Sequence, residues 1–152
     1  MPHVVRAIVD SNIFVSYLLN KDKTGTITKV LDMAVQGRIR LALPPEQIEE
    51  LRRAVTTKPY LRDRISPKEL ERFFLLLNTL GDILPPIQGD PPRVLRDRAD
   101  DFLVETAKQN KIDIIVSGDL DLLEWQGASP QLTVIPPARL EHYLNAREAD
   151  HP

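Results

Sequence analysis

The chain has 152 residues, a net charge of −2 and 42% hydrophobic residues, the composition of one ordinary globular domain. It has no cysteine, so a disulfide framework, a thiolate zinc site and a cysteine nucleophile are excluded. No apolar run approaches the roughly 20 residues of a membrane helix, and the first residues lack a signal-peptide pattern. We therefore expect a cytoplasmic protein without membrane contact.

The first half of the chain alternates predicted strands with predicted helices. Residues 4–9 are nearly all apolar and rich in β-branched side chains, which predicts a buried strand. Asp10, Ser11 and Asn12 then supply helix-capping residue types ahead of an apolar helix. Further along, the sequence predicts a helix over 24–37, a strand over 40–43, a helix opening at Pro44 and a helix with Ser66 as its N-cap.

The second half continues the alternation after a proline-rich surface loop, residues 85–92. The predicted elements are a weak strand at 83–84, a helix beginning near residues 98–100, strands over 112–116 and 132–135, and a last helix from Pro136. Strands alternating with helices imply a parallel sheet covered on both faces. We predict a three-layer α/β/α sandwich with a mainly parallel sheet of about four or five strands. It forms a single domain over 1–146, followed by a flexible tail over 147–152.

Acidic residues stand where two of these strands end. Asp10 closes the first strand, and Asp119 and Asp121 follow the strand over 112–116. In an open α/β sheet, ligands bind beyond the carboxyl ends of the strands. Carboxylates that converge there repel one another unless a cation lies between them. A hard cation such as Mg²⁺ or Mn²⁺ is the best candidate in a chain that has no cysteine and only three histidines.

Helical spacing separates inward from outward acids. Asp100 shares a helix face with Leu103 and Val104, so we predict that it faces the sheet, whereas Asp101 lies on a solvated row with Lys108. In the helix after Pro44 the same test is less decisive, because Glu46, Glu49 and Glu50 compete; Glu50 lies at the edge of an apolar stripe, from which it could reach a cleft. An acid at a helix start is often only an N-cap, and an exposed Glu is often only solvated. The ordered set, rather than any one member, indicates a site.

Four segments together resemble the PIN (PilT N-terminus) domain, in particular the toxin components of prokaryotic toxin–antitoxin systems. They are residues 9–14, Glu50-Leu51, residues 96–107 and residues 115–123. The resemblance extends from residue 4 to about residue 144. Ser11 and Ser117 stand where Thr is usual and Arg98 where Pro is common, and no acid is missing. The resemblance implies a PIN-like fold and a metal-dependent endoribonuclease that leaves a 5′-phosphate and a 3′-hydroxyl.

The resemblance also implies roles for particular residues. The acids that would bind Mg²⁺ or Mn²⁺ and carry catalysis are Asp10, Glu50, Asp100 and Asp119, with Asp121 as a further metal ligand. Asn12, Ser117 and Asp97 would orient these ligands or a water molecule from outside. No Ser, His or Lys stands in a motif for a covalent intermediate, so we predict that metal-activated water attacks the phosphodiester. The implied partners are an RNA substrate, a small antitoxin protein and a second copy of the chain.

Two surface features bear on partners. Arginines close to the acids in sequence could bind RNA phosphates, or could simply form a solvated surface: Arg52, Arg53, Arg96 and Arg98. Residues 73–77 are five consecutive apolar residues, more than one helix face can bury. They could contact a second copy or an antitoxin, or could be buried by neighbouring helices.

Two other functions fit parts of the pattern. The chain could be a non-catalytic RNA- or protein-binding module with a PIN-like fold, and a cleavage assay in Mg²⁺ with an EDTA control separates this from a nuclease. A phosphotransfer domain with Asp10 as nucleophile is disfavoured, because Asn12 stands where such phosphatases need a second acid. The segment Ser117-Gly118-Asp119 also lacks the lysine that receiver-like domains require.

Overall fold

The computed structural model describes residues 3–125 and 132–150. Its centre is a five-stranded sheet in the order β3-β2-β1-β4-β5, with every neighbouring pair parallel. The strands are β1 (Val5–Val9), β2 (Ile39–Leu43), β3 (Gly81–Ile83), β4 (Ile114–Val116) and β5 (Thr133–Ile135). The predicted fold class is confirmed, and the five predicted strands occur at the predicted places with ends shifted by one or two residues.

Helices connect the strands. They are α1 (Ser11–Leu19), α2 (Thr26–Val35), α3 (Pro45–Thr57), α4 (Pro59–Arg62), α5 (Pro67–Leu80), α6 (Arg98–Gln109), α7 (Leu120–Trp125) and α8 (Leu140–Asp150). A 3₁₀ turn over Pro137–Arg139 leads into α8. Among the described residues, no helix has both the length and the apolar character that crossing a membrane requires.

The core lies in two layers on opposite faces of the sheet. Ala7 and Val9 of β1 point to one face and pack with side chains of α1, α2, α3, α5 and α8. Ile8, between them in sequence, points to the other face and packs with α6 and α7. Successive side chains of a strand point to opposite faces, so a fully buried strand needs apolar residues at nearly every position. This explains why every residue of β1 except Arg6 is apolar.

The order of the strands places the first and fourth strands side by side at the centre. Val9 pairs with Val116 at the carboxyl ends of β1 and β4, and the backbone N–H of Asp10 donates to the carbonyl of Val116 (2.9 Å). Segments more than 100 residues apart in sequence therefore leave the sheet at adjacent points, where the loops after β1 and β4 meet.

Two local features define the segment that ends in the outer strand β3, namely the cap of α5 and the glycine that begins β3. Ser66 caps α5 as predicted, since its hydroxyl accepts from the N–H of Glu69 (3.0 Å) while the Glu69 carboxylate reaches back to the Ser66 N–H (3.5 Å). At Gly81, a Cβ atom would lie 2.5 Å from the carbonyl oxygen of Leu41. Only glycine permits this approach of β3 to β2.

The prediction that Asp101 is solvated is wrong. Asp101 is only 3% exposed, and one carboxylate oxygen accepts hydrogen bonds from the N–H groups of Val94 (3.1 Å) and Leu95 (2.8 Å). The segment that precedes α6 therefore lies against the face of α6 that helical spacing assigned to solvent. Spacing within one helix does not show that a loop covers its second face.

Most of the apolar row 73–77 belongs to the core. Phe73, Phe74 and Leu77 are buried within the chain, and Phe73 contacts the ring of Phe14 in an edge-on arrangement. Leu75 is 68% exposed. Burial by neighbouring helices therefore accounts for three of the five side chains, and Phe74 is not available to a partner.

The C-terminal end is helical further than the sequence indicates. Helix α8 continues to Asp150, and Glu148 forms an ion pair with Arg38 (2.8 Å). Residues 147–150 of the predicted flexible tail are therefore part of this helix. Residues 151 and 152 of that tail lie outside the described residues.

Candidate active site

A cleft of about 190 Å³ opens where β1 and β4 end. Its lining includes five carboxylates that come from the loops after β1 and β4, from α3 and from the start of α6: Asp10, Glu50, Asp97, Asp100 and Asp119. The four predicted catalytic acids thus line one cleft together with Asn12 and Asp97. Arg52, Arg53, Arg96 and Arg98 are not among its lining residues.

Asp10 is fixed through both oxygens of its carboxylate. One oxygen accepts from the N–H of Asn12 (3.1 Å) and caps α1. The other accepts from the hydroxyl of Ser117 (2.8 Å). Asp10 can therefore be both a helix cap and a residue of the site, because a carboxylate has enough lone pairs to accept several hydrogen bonds and still bind a ligand.

Ser117 joins the two strand-end acids. It is completely buried, and while its hydroxyl donates to Asp10 its oxygen accepts from the N–H of Asp119 (3.1 Å). Asp119 in turn accepts from the N–H of Asp121 (2.8 Å) at the start of α7. Asp121 does not line the cleft, and its role as a metal ligand stays a prediction.

Three helices begin at this cleft, and each starts beside an acid. Asp10 caps α1, Asp97 caps α6 through the N–H of Ala99 (2.9 Å), and Asp119 precedes α7. The N-terminus of a helix carries a partial positive charge that stabilises a nearby anion. The helix starts therefore offset part of the repulsion among the carboxylates.

Asp100 is the most perturbed member of the cluster. Its side chain is 4% exposed, and one of its oxygens is buried without a hydrogen-bond partner. Burial, as the largest cause, and the charges of three neighbouring carboxylates raise the pKa of Asp100 to about 7. Those neighbours are Asp119, Asp97 and Asp10, in decreasing order of effect. A shifted pKa of this size in a cleft marks a candidate functional site.

Gln47 is a site residue that the sequence analysis missed. It is 2% exposed and lines the cleft, and its amide N–H₂ donates to the carbonyl of Val9 (2.6 Å) and the hydroxyl of Ser11 (3.1 Å). These two residues flank Asp10. Gln47 lies one turn before Leu51 and two before Val55, both buried. A polar residue on the buried stripe of α3 was the available signal.

The predicted RNA-binding arginines differ in their present contacts. Arg52 pairs with Glu71 and lies over the ring of Phe74, and Arg98 donates to the carbonyl of Pro91 (2.9 Å). Arg53 and Arg96 are exposed. Their contact with RNA stays a prediction.

The donors in the cleft suit a hard divalent cation in their chemistry. They are carboxylate and amide oxygens. The pKa of Asp100 is raised first by burial and then by repulsion from neighbouring carboxylates, and a cation would relieve that repulsion. Within residues 3–125 and 132–150, however, no three His, Asp or Glu side chains are arranged as a ready-made metal site. Glu50 is exposed, so its side chain has room to change rotamer toward the other acids.

Comparison with known families agrees with this arrangement. A family model described as PIN domain matches residues 6–121, which is more than half of the chain and contains every acid of the cleft. The chain belongs to the PIN domain family. PIN domains are typically nucleases and generally use divalent metals, so this PIN domain is assigned to the hydrolases in general terms. No individual curated protein matches its sequence significantly.

Proposed function

We propose that this PIN domain is a metal-dependent endoribonuclease that hydrolyses RNA phosphodiester bonds with water as the nucleophile. The observation that carries the proposal is the buried Asp100 carboxyl, whose pKa of about 7 results from burial beside Asp119, Asp97 and Asp10. Carboxylates that lie this close together repel one another, and such clusters are typical of sites that hold a cation.

The residues that would hold Mg²⁺ or Mn²⁺ are Asp10, Glu50, Asp100 and Asp119. When bound, the cation would lower the pKa of a water molecule and neutralise charge on the phosphate that is attacked. Asp100 would lose its proton on metal binding, because carboxylates bind metals in the ionised form.

The surrounding residues would keep these acids in place. Ser117 holds Asp10 and Asp119 at a fixed separation through one hydroxyl, and Gln47 fixes the backbone on either side of Asp10. Site geometry that does not reorganise during the reaction contributes directly to rate. The starts of α1 and α6 also present partial positive charge toward an anionic substrate.

We further propose that the protein is the toxin of a toxin–antitoxin pair in the cytoplasm, restrained by a small antitoxin, and that it forms a homodimer. Support comes from the likeness of its motifs to that branch of PIN domains and, for a reducing compartment, from the lack of cysteine. Expression of the chain alone should slow growth of a host cell, and Asp119→Asn should remove the effect. Normal growth with the wild-type chain would contradict the toxin proposal, and equal toxicity of the variant would show that the effect does not come from the cleft.

The test of the nuclease is cleavage of a single-stranded RNA in Mg²⁺ or Mn²⁺, with EDTA as the metal-free control. Asp10→Asn and Asp119→Asn should each lower the rate at least about 10²-fold, the loss typical when one stabilising group of an active site is removed. Asp22→Asn removes an exposed carboxylate outside the cleft and is the matched control. Wild-type rates for both cleft variants would contradict the site assignment.

A second candidate is a non-catalytic module that binds RNA or protein. It is favoured by one observation, that no three acids in the described part of the chain are arranged to hold a metal ion. This module would bind without cleavage in every metal tested. Calorimetric titration with Mn²⁺ separates the two, since the nuclease should bind the ion and lose that binding in Asp10→Asn.

A further inference from the structure

A second pocket, of about 450 Å³, lies at the opposite edge of the sheet, beside the amino ends of β4 and β5. Among its lining residues are three cations, one from the last turn of α6, one from the turn that follows α6 and one from α8: Lys108, Lys111 and Arg147. Asp100 lies in the first turn of α6 and Lys108 in the last, so at about 1.5 Å per residue the two are about 12 Å apart along the helix. We call this pocket, with Thr133 and Tyr143 in its wall, the basic pocket.

The cations of the basic pocket have no carboxylate partner within residues 3–125 and 132–150. None of the three takes part in an ion pair. The acid nearest in the lining, Asp113, is already engaged, since it accepts from the N–H of Arg6 (2.8 Å) and contacts His3 (3.0 Å). Residues 126–131 contain no Asp or Glu in their sequence. Three cations without an ion-pair partner among the described residues therefore line one concave surface, together with the single carboxylate of Asp113.

Aromatic rings accompany two of these cations. Arg147 lies 5.8 Å from the centre of the Tyr143 ring, which lines the pocket, and it also donates to the Tyr143 hydroxyl. Lys108 lies 5.8 Å from the centre of the Trp125 ring, which is next to the pocket but not among its lining residues. Cations beside aromatic rings are the combination with which proteins bind single-stranded nucleic acid, because cations contact phosphates and rings stack on bases.

We propose that the basic pocket binds the phosphodiester backbone of single-stranded RNA outside the cleft. The choice of RNA rests on the proposed function. A cleft with five carboxylates repels a polyanion, so affinity for RNA must come from cations elsewhere on the molecule. The basic pocket supplies them about 12 Å from Asp100, a separation that a strand of several nucleotides can bridge.

An extended strand fits the basic pocket better than a small anion does. The lining residues Lys108 and Arg147 belong to the last turns of α6 and α8, and the C-terminal end of a helix carries partial negative charge. Small phosphates usually bind to the free backbone N–H groups at the start of a helix. Neither α6 nor α8 supplies such groups to the basic pocket. Recognition rests on long cationic side chains, which suit phosphates spaced along a chain.

The experiment measures RNA binding without cleavage, so it does not depend on the nuclease proposal. A fluorescent 20-nucleotide single-stranded RNA is titrated in EDTA with the Asp10→Asn protein, with and without Lys108→Gln, Lys111→Gln and Arg147→Gln. The triple change should weaken binding at least about tenfold and lower the salt slope by about 2, at about 0.7 per phosphate contact. The matched control changes three exposed, unpaired cations of α2 and α5: Lys29→Gln, Lys68→Gln and Arg72→Gln.

Each outcome supports or overturns the proposal. If the triple variant and the control lose the same affinity for RNA, the effect is one of general charge and the proposal is overturned. The proposal is also overturned if the triple variant binds RNA with wild-type affinity and shows only a lower melting temperature. That second result would mean that the cations only stabilise helix ends. Full displacement of RNA by millimolar inorganic phosphate would assign the basic pocket to a small anion instead. Should Arg147→Gln unfold the protein, the exposed pair Lys108→Gln and Lys111→Gln gives the same test, with about fivefold weaker binding expected.

Cleavage provides a second readout. If the nuclease proposal holds, the triple variant should raise KM for the 20-nucleotide RNA, leave kcat unchanged and leave cleavage of a four-nucleotide RNA unaffected. An equal fall in kcat for both lengths would overturn the basic pocket as a separate site.

Discussion

At the scale of single residues, the cleft is built from side chains that each have two tasks. Asp10 caps α1 with one oxygen and accepts from Ser117 with the other. Ser117 donates to Asp10 and accepts from the N–H of Asp119. An isolated acid at a helix start only caps the helix. The additional hydrogen bond between Asp10 and Ser117 distinguishes this cluster from ordinary caps, and it exists because β1 and β4 end side by side.

Gln47 gives a prediction at this scale. Gln47→Met keeps the length of the side chain but removes the donors to Val9 and Ser11. Because outer partners of metal sites typically contribute 10- to 100-fold, we expect a loss of about that size in RNA cleavage. Steady-state cleavage kinetics measure it. Asp10, Asp100 and Glu50 remain present in the variant, so metal should still bind, more weakly.

The matched control for this prediction is Gln36→Met, which changes an exposed glutamine after α2. It should leave cleavage unchanged. If Gln47→Met also cleaves at the wild-type rate, the amide does not position Asp10, and its hydrogen bonds serve packing alone.

At the scale of elements, the site depends on where helices begin. The starts of α1 and α6 are fixed by the acids that cap them, so the backbone of each loop is anchored at the cleft. Helix α5 lies away from the cleft, and its capping box joins Ser66 to Glu69. The carboxylate of Glu69 also pairs with Lys21, and this contact holds the pKa of Glu69 below its usual value.

The capping box gives a prediction for stability. Ser66→Ala removes the acceptor of the Glu69 N–H, and we expect the free energy of unfolding to fall by about 1 kcal/mol. Urea unfolding followed by circular dichroism measures it. Cleavage of RNA should not change, because α5 does not line the cleft.

Ser16→Ala is the control, since Ser16 is exposed in the middle of α1. Alanine has the higher helix propensity there, so this change should be neutral or slightly stabilising. A loss in Ser16→Ala as large as that in Ser66→Ala would mean that the cap has no specific effect.

At the scale of the whole molecule, the cluster of acids opposes folding when no metal is bound. The pKa of Asp100 is raised from 3.8 to about 7 by burial and by neighbouring carboxylates. Between these two pH values the folded chain binds more protons than the unfolded chain does. Stability must therefore fall as the pH rises through that window. A bound cation would reverse this dependence by favouring the ionised carboxylate.

The pH dependence gives a prediction that thermal melting in EDTA can check. The wild type should have a lower melting temperature at pH 8 than at pH 5, and Asp100→Asn should reduce this difference, because Asn carries no charge at either pH. Mn²⁺ at pH 8 should raise the melting temperature of the wild type more than that of the variant.

Asp90→Asn is the matched control, since it removes an exposed carboxylate of the proline-rich loop. Its melting temperatures should follow those of the wild type at both pH values. A wild-type difference that survives intact in Asp100→Asn would assign the pH dependence to other groups.

The sequence alone determined the order of the strands and of most helices, and it named the five acids that line the cleft. It did not predict the short helices α4 and α7. Buried parallel strands need continuous apolar runs, so residues 4–9 and 112–116 predict the two central strands, and the acids that follow them mark the carboxyl edge. Periodicity also assigned Asp100 to the interior correctly, since burial of that side chain follows from the face of α6 that packs on the sheet.

Tertiary structure decided what lies opposite each residue. Asp101 is buried because the segment before α6 covers a second face of that helix, and Phe74 is buried because α5 packs among neighbouring helices. The contact of Gln47 with Val9 and Ser11 joins α3 to the end of β1. A one-dimensional pattern records the spacing within an element, whereas these contacts depend on long-range packing between elements.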